Sequence, residues 1–229
     1  MEDTVDDAQH RSELFDRLAV VGKAFASANR LKIIDLLGQG ERSVDSIARE
    51  VGLGVTTASA HLQILKLANV VATRTEGTRV FYRLAGDDVA TLYASLGAVA
   101  RTHSADVERA LATYFGTGAL DDVELITRKE LRRRMKAGDV VVVDVRPPEE
   151  FEAAHIPGAR SVPFGDLLEH LAEVDDDVEI VAYCRGAHCV LAHDAVRLLT
   201  AEGRSAVRLE DGMLEWRAAG LPVAAGAGR

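Results

Sequence analysis

Cysteine is nearly absent from this sequence. The 229 residues hold two, Cys184 and Cys189, close together in the chain. Such a pair cannot build a disulfide framework, so its chemistry is local. Also missing is any run approaching the roughly 18 consecutive apolar residues that a membrane-spanning helix needs, so no membrane is expected as a partner. The opening Met1-Glu2-Asp3-Thr4-Val5-Asp6-Asp7 lacks the apolar segment of a secretory signal and the arginines of a transit peptide. The expectation is a cytoplasmic protein. Positive charge is in short supply: 27 Lys and Arg against 36 Asp and Glu leave a net charge of -9, which as an average argues against nucleic acid.

What is present belongs to a globular chain, with 48% hydrophobic and 28% charged residues. The length permits two small domains. Charge is unevenly spread: between Arg11 and Gly86 eleven Lys and Arg stand against seven acids, so this stretch alone is net basic. One segment could face phosphate while the remainder would repel it.

An acidic tail (1–10) precedes a region (11–111) of helical spacing. Leu14, Leu18, Val21 and Phe25, then Leu31, Ile34 and Leu37, predict two helices in succession. Ser43 sits as an N-cap ahead of Ile47, Ala48 and Val51, and Gly52-Leu53-Gly54 turns into a further helix over about 55–68. Helix, glycine turn, helix is the helix-turn-helix arrangement. Val70 to Arg74 and Thr78 to Leu84 predict a basic hairpin around the loop Thr75-Glu76-Gly77. A long helix follows, whose stripe Val89, Leu92, Leu96, Val99 needs a burial partner, such as a second subunit. The segment 112–123, with Thr113-Tyr114-Phe115-Gly116-Thr117-Gly118, is expected to be a linker. Beyond it, Val140 to Asp144 and Val178 to Tyr183 are short apolar runs, each followed by a polar loop and a helical segment. That pattern predicts an α/β domain with a parallel sheet over 124–229.

In the first region the helix from about Val55 carries slim or hydrogen-bonding side chains: Thr56, Thr57, Ser59, Ala60, His61 and Gln63, with Lys66 beyond them. A major groove admits such a face, and Arg74 and Arg79 of the hairpin would reach flanking phosphates. Ala28 to Leu37, Ser43 to Ala48 and Gly52 to Lys66 together resemble the winged helix-turn-helix of the ArsR family of bacterial regulators. The resemblance implies a homodimer on double-stranded operator DNA. Many members hold a metal through cysteines in the helix before the recognition helix, but Ser43-Val44-Asp45-Ser46 offers none. His103 with Asp106 or Glu108 is the remaining combination, and an isolated histidine near acids is ordinarily a surface residue. No metal and no cofactor is expected.

In the second region Tyr183-Cys184-Arg185-Gly186-Ala187-His188-Cys189 joins a strand to a helix. Backbone N–H groups and the positive end of a helix favour a thiolate there, making Cys184 the candidate nucleophile, with Arg185 and His188 adding charge. Asp144 to Ala159 closely resembles the signature of rhodanese-like domains, and Glu210 to Trp216 resembles their C-terminal stretch. The resemblance implies that Cys184 accepts sulfane sulfur, that Arg185, Gly186, Ala187, His188 and Cys189 form an anion-cradling loop, and that Asp144 and Arg146 belong to the surrounding site. Phosphatases of this architecture carry Arg six positions after the nucleophile, where this chain has Val190, so phosphate esters are disfavoured. Sulfurtransferases often carry Arg or Thr at the position of Cys189. Cys189 instead makes a Cys-x4-Cys pair able to resolve a persulfide or sulfenic acid.

The expected protein is therefore two-domain: a mainly α winged helix-turn-helix followed by an α/β rhodanese-like domain with a parallel sheet. The expected function is a DNA-binding transcriptional regulator that senses a small sulfur donor or oxidant through Cys184. The alternative is an active thiosulfate-type sulfurtransferase that uses its helical half for dimerisation or targeting.

Overall fold

A computed structural model describes residues 2–116, 123–171, 175 and 177–226. These divide into two compact units, one ending at Val89 and the other beginning at Ala90.

The first unit runs α1 (Glu2–Phe25), α2 (Ala28–Gly38), β1 (Arg42–Ser43), α3 (Val44–Glu50), α4 (Val55–Leu67), β2 (Val71–Glu76) and β3 (Arg79–Leu84). The acidic residues expected as a tail thus continue α1. Ile33, Ile34 and Leu37 of α2, Ile47 of α3, and Leu62 and Leu65 of α4 form the core. Ser43 caps α3 as its position predicts, its hydroxyl accepting the Ser46 amide at 3.3 Å, a contact worth about 1 kcal/mol. The α3–α4 turn uses Gly52 at φ +70, a left-handed conformation that side chains resist. The strands pair antiparallel in the order β1-β3-β2. Their turn is shorter than expected, because Thr75 and Glu76 pair with Val80 and Arg79 and the chain reverses at Gly77 with φ +59.

Helix α5 (Asp87–His103) buries Val89 but leaves Leu92, Leu96 and Val99 exposed in the single chain. In the second unit α6 (Ala105–Phe115) runs into the start of the segment 112–123 expected as a linker. The chain is helical to Phe115, while residues 117–122 lie outside the described residues. Phe115 is the physical reason: it is buried edge-on against the His193 ring, 5.6 Å between centroids, with the Arg208 guanidinium 5.5 Å from its own ring centre.

The remainder alternates strands and helices: β4 (Leu125–Ile126), α7 (Arg128–Ala137), β5 (Val140–Asp144), α8 (Pro148–Ala153), β6 (Arg160–Ser161), α9 (Leu167–Leu171), β7 (Glu179–Tyr183), α10 (Leu191–Ala201), β8 (Ala206–Leu209) and α11 (Met213–Ala218). The five strands are parallel, in the order β4-β8-β7-β5-β6. Central strands buried on both faces explain the unbroken valine run. Val142, Val181 and Tyr183 enter one core layer with Leu131 and Phe151. Val143, Ile180 and Ala182 enter the other with Ala195, Val196 and Leu199 of α10. Cys184 extends the face of Ile180 and Ala182 by one alternation, which sets its sulfur under α10.

Candidate functional site

The loop between β7 and α10 begins at Cys184 and carries Cys189. Both thiols are free; Cys184 is 2% exposed and Cys189 is partly buried. The Cys184 Sγ lies 3.4 Å from the Cys189 carbonyl oxygen and 3.9 Å from that of Gly186. Burial pushes the Cys184 thiol well up, and the adjoining Cys189 sulfur pushes it further. Cys189 moves the other way, to about 7, chiefly through the hydrogen bond from Cys184. The backbone N–H groups of Leu191 and Arg185 add to that shift. Cys184, expected as the nucleophile, is thus the more buried of the two thiols. Backbone N–H groups favour the thiolate at both positions, those of Ala192 and Gly186 at Cys184 and those of Leu191 and Arg185 at Cys189, but at Cys184 burial outweighs them.

Helix α11 holds this loop from outside. The Met213 and Leu214 amides donate to the Cys184 and Arg185 carbonyls at 2.9 and 3.0 Å. Gly212 packs so closely that a Cβ there would fall 2.3 Å from the Gly186 nitrogen. The Glu215 carboxylate accepts the Ala187 amide at 3.2 Å and the Gly212 amide at 3.0 Å. One amide of the expected anion cradle is therefore already bonded to a carboxylate of the chain.

The charges expected around the loop are differently arranged. Arg185 spends its guanidinium on the fully buried Glu150, with Nε 3.0 Å from both carboxylate oxygens. His188 is pulled below its ordinary pKa by burial first, then by the Arg101 and Arg208 charges, so it adds little charge at neutral pH. Arg101 of α5 donates to His188 Nε2 at 2.9 Å, the direction that a neutral imidazole accepts. Arg208 pairs with Ala182 across the β8–β7 ladder and so shares the sheet face of Cys184. Asp144 and Arg146 do not line the loop surface. They form a sealed ion pair, both side chains 0% exposed, and Arg146 also donates to the Ala154 carbonyl at 2.8 Å. With no exposed atom they can support the site but cannot touch a ligand. Glu150, Glu215, Arg101 and Arg208 were missed by motif reading, although Glu150 and Glu215 fall inside the two quoted signatures.

In the first unit α4 turns Ala58, Leu62 and Leu65 inward and leaves Thr56, Thr57, Ala60, Gln63 and Lys66 exposed, with Ser59 half-buried. Two candidates depart from that face. His61 is half-buried, its Nε2 3.4 Å from Asn29 Nδ2 of α2. Arg74 is engaged by Glu41 and Glu76, each at 2.6 Å, and stacks over Phe81. Arg79 remains exposed. No group of three His, Cys, Asp or Glu side chains among the described residues is placed to hold a metal ion, and no described helix is long and apolar enough to cross a membrane.

Fold and site define a protein of two modules, a winged helix-turn-helix followed by a rhodanese-like domain. The chain matches the family "Bacterial regulatory protein, arsR family" over residues 27–73 and the family "Rhodanese-like domain" over 127–219. It is 53% identical over 220 residues to the HTH-type transcriptional regulator Rv0324 of Mycobacterium tuberculosis, covering 96% of each chain. It therefore belongs to the ArsR-family transcriptional regulators that carry a C-terminal rhodanese-like domain. A protein named sulfurtransferase from Allochromatium vinosum is 32% identical over 88 residues, 38% of this chain and 80% of that one. The solution structure of a homodimeric winged helix-turn-helix DNA-binding domain from Mycobacterium bovis is 52% identical, covering 41% of this chain and 87% of that one with a TM-score of 0.39.

Proposed function

We propose that this regulator acts in the cytoplasm as a homodimer on operator DNA and reads reactive sulfur or oxidants through the Cys184–Cys189 pair. The observation that carries the reading is two free thiols in one loop, Cys184 buried beneath α10 and Cys189 only partly buried. Thr56, Thr57, Ala60 and Gln63 present a slim polar face suited to base edges, while Lys66 and Arg79 remain open to phosphates.

Exposure favours Cys189 as the attacking group, since Cys184 is 2% exposed and Cys189 is only partly buried, and the direction of its acidity agrees. Its thiolate bonds to an outer sulfane sulfur of a polysulfide, the donor's S–S bond breaks, and the shortened chain leaves with the electron pair as a thiolate. Cys189 is left as a persulfide. Cys184, giving its proton to the departing sulfur, then displaces hydrosulfide from that persulfide and closes a Cys184–Cys189 disulfide. Either product displaces the Cys189 sulfur from its amides and disturbs the neighbouring His188. Through the contact with Arg101 the change reaches α5, whose exposed Leu92, Leu96 and Val99 suit a subunit interface. A coupling of about 1 to 3 kcal/mol suffices for a useful switch.

A role as a free-standing sulfurtransferase has less behind it, since the similarity to a regulator extends along nearly the whole chain. Intact mass after polysulfide treatment tests the chemistry. Cys184→Ser is expected to retain added sulfur, and Cys189→Ser to take up none at neutral pH. Sulfur uptake by Cys189→Ser at the wild-type rate would contradict the assignment.

A further inference from the structure

Helix α7 is unusual for a chain of net charge -9: six of its ten residues are Lys or Arg. Lys129, Arg132, Arg133 and Lys136 recur at the i, i+3, i+4, i+7 spacing that places side chains on one helical face. Glu130 neutralises part of the surplus by bonding Arg133 and Arg134, and Asp211 takes Arg128 at 2.6 Å. Lys129, Arg132 and Lys136 have no ion-pair partner among the described residues. A row of like charges left open costs stability through mutual repulsion, which a bound anion would relieve.

The same stripe forms one wall of a cavity of about 730 Å³, within the range of sites for small organic ligands. Its other wall is neither basic nor uniformly polar. Glu210 supplies an exposed carboxylate, the half-buried Asp211 supplies a second that is already paired with Arg128, and Ala219 and Leu221 supply apolar surface. Inorganic phosphate would leave most of this volume empty, and a duplex backbone would meet Glu210 as a repulsive neighbour. A ligand with phosphates at one end and a hydrogen-bond-donating, partly apolar body at the other matches both walls.

We propose that this cavity binds a phosphorylated nucleotide, with its phosphates against Lys129, Arg132 and Lys136, its ribose or amino groups donating to Glu210, and its base against Ala219 and Leu221. The cavity adjoins the segment 210–212, which packs on the cysteine loop through Gly212. The site itself stands independently of the cysteine chemistry.

Calorimetric titration of the full chain with adenosine 3′,5′-bisphosphate at fixed ionic strength tests it, with inorganic phosphate and a nonspecific duplex as parallel probes. Saturable binding of the bisphosphate is expected, about tenfold weaker in Arg132→Gln and in Lys136→Gln. Both substitutions lie on an exposed face and leave the core intact, which circular dichroism checks. Glu210→Gln should weaken the bisphosphate while leaving phosphate unchanged. Absence of saturation, equal affinity in the variants, phosphate binding as tightly as the nucleotide, or displacement of the nucleotide by the duplex would each overturn the proposal.

Discussion

The Cys184 Sγ lies 3.4 Å from the Cys189 carbonyl oxygen in the loop that carries both free thiols, and their surroundings push the acidities apart: burial first raises the Cys184 thiol, while Cys189 is lowered to about 7 by its neighbour and by backbone N–H groups.

Alkylation should follow that split. The reactive form of Cys189 is the thiolate, present above its pKa, so the rate of iodoacetamide modification should rise through pH 7 and level off beyond it. Cys184→Ala removes the donor and lets the Cys189 pKa rise. At pH 7 the rate should then fall about tenfold, with the inflection shifted to higher pH. An unmoved inflection would show that the amides alone set the acidity.

The Asp144–Arg146 pair should matter for stability rather than for ligand contact. Asp144→Ala leaves a buried guanidinium without its counter-charge, which costs about 3 to 5 kcal/mol. The thermal transition of the second unit should drop accordingly. Asp144→Asn, which keeps acceptor atoms in place, should cost less.

On DNA, Arg74 and Arg79 should behave differently although both lie on the hairpin. Arg79→Ala should reduce the slope of log affinity against log salt by about 1, as expected for one lost phosphate contact. Arg74→Ala should change it less, because Glu41 and Glu76 already hold that side chain. Gln63→Ala should lower affinity and relax sequence preference, by about 1 to 3 kcal/mol at a base step if the side chain reads an edge. Competition binding at several salt concentrations resolves these effects.

The contact between Arg101 and His188 should be needed for response rather than for folding. Arg101→Met should bind the operator as wild type does when the thiols are reduced, while losing most of the polysulfide effect. A side chain at Gly97 would reach the same ring, since a Cβ there lies 3.1 Å from His188 Nε2. Gly97→Val should therefore mimic Arg101→Met. A full response in both variants would place the coupling elsewhere.

The helix-turn-helix was legible because local chemistry marks it: Ser43 caps, Gly52 turns, and the apolar spacing of α4 separates an inner from an outer face. The valine run and the two signatures exposed the parallel sheet in the same way. What escaped depends on contacts distant in sequence. Thr113 to Phe115 reads as loop until His193 and Arg208 are seen to receive Phe115. Burial of Cys184 is set by the layer beneath α10, and the engagement of Arg185 by Glu150 spans two elements, so no local pattern announces either. His61 likewise looks like a groove residue until Asn29 of α2 is placed beside it.

Operator affinity with and without polysulfide, measured on wild type and on Cys189→Ser with intact mass recorded for every sample, is the most direct test. The predicted result is a change of about tenfold or more in wild type, accompanied by sulfur addition or disulfide formation, and no change in Cys189→Ser. An affinity that stays constant in wild type despite a verified gain of sulfur would contradict the account.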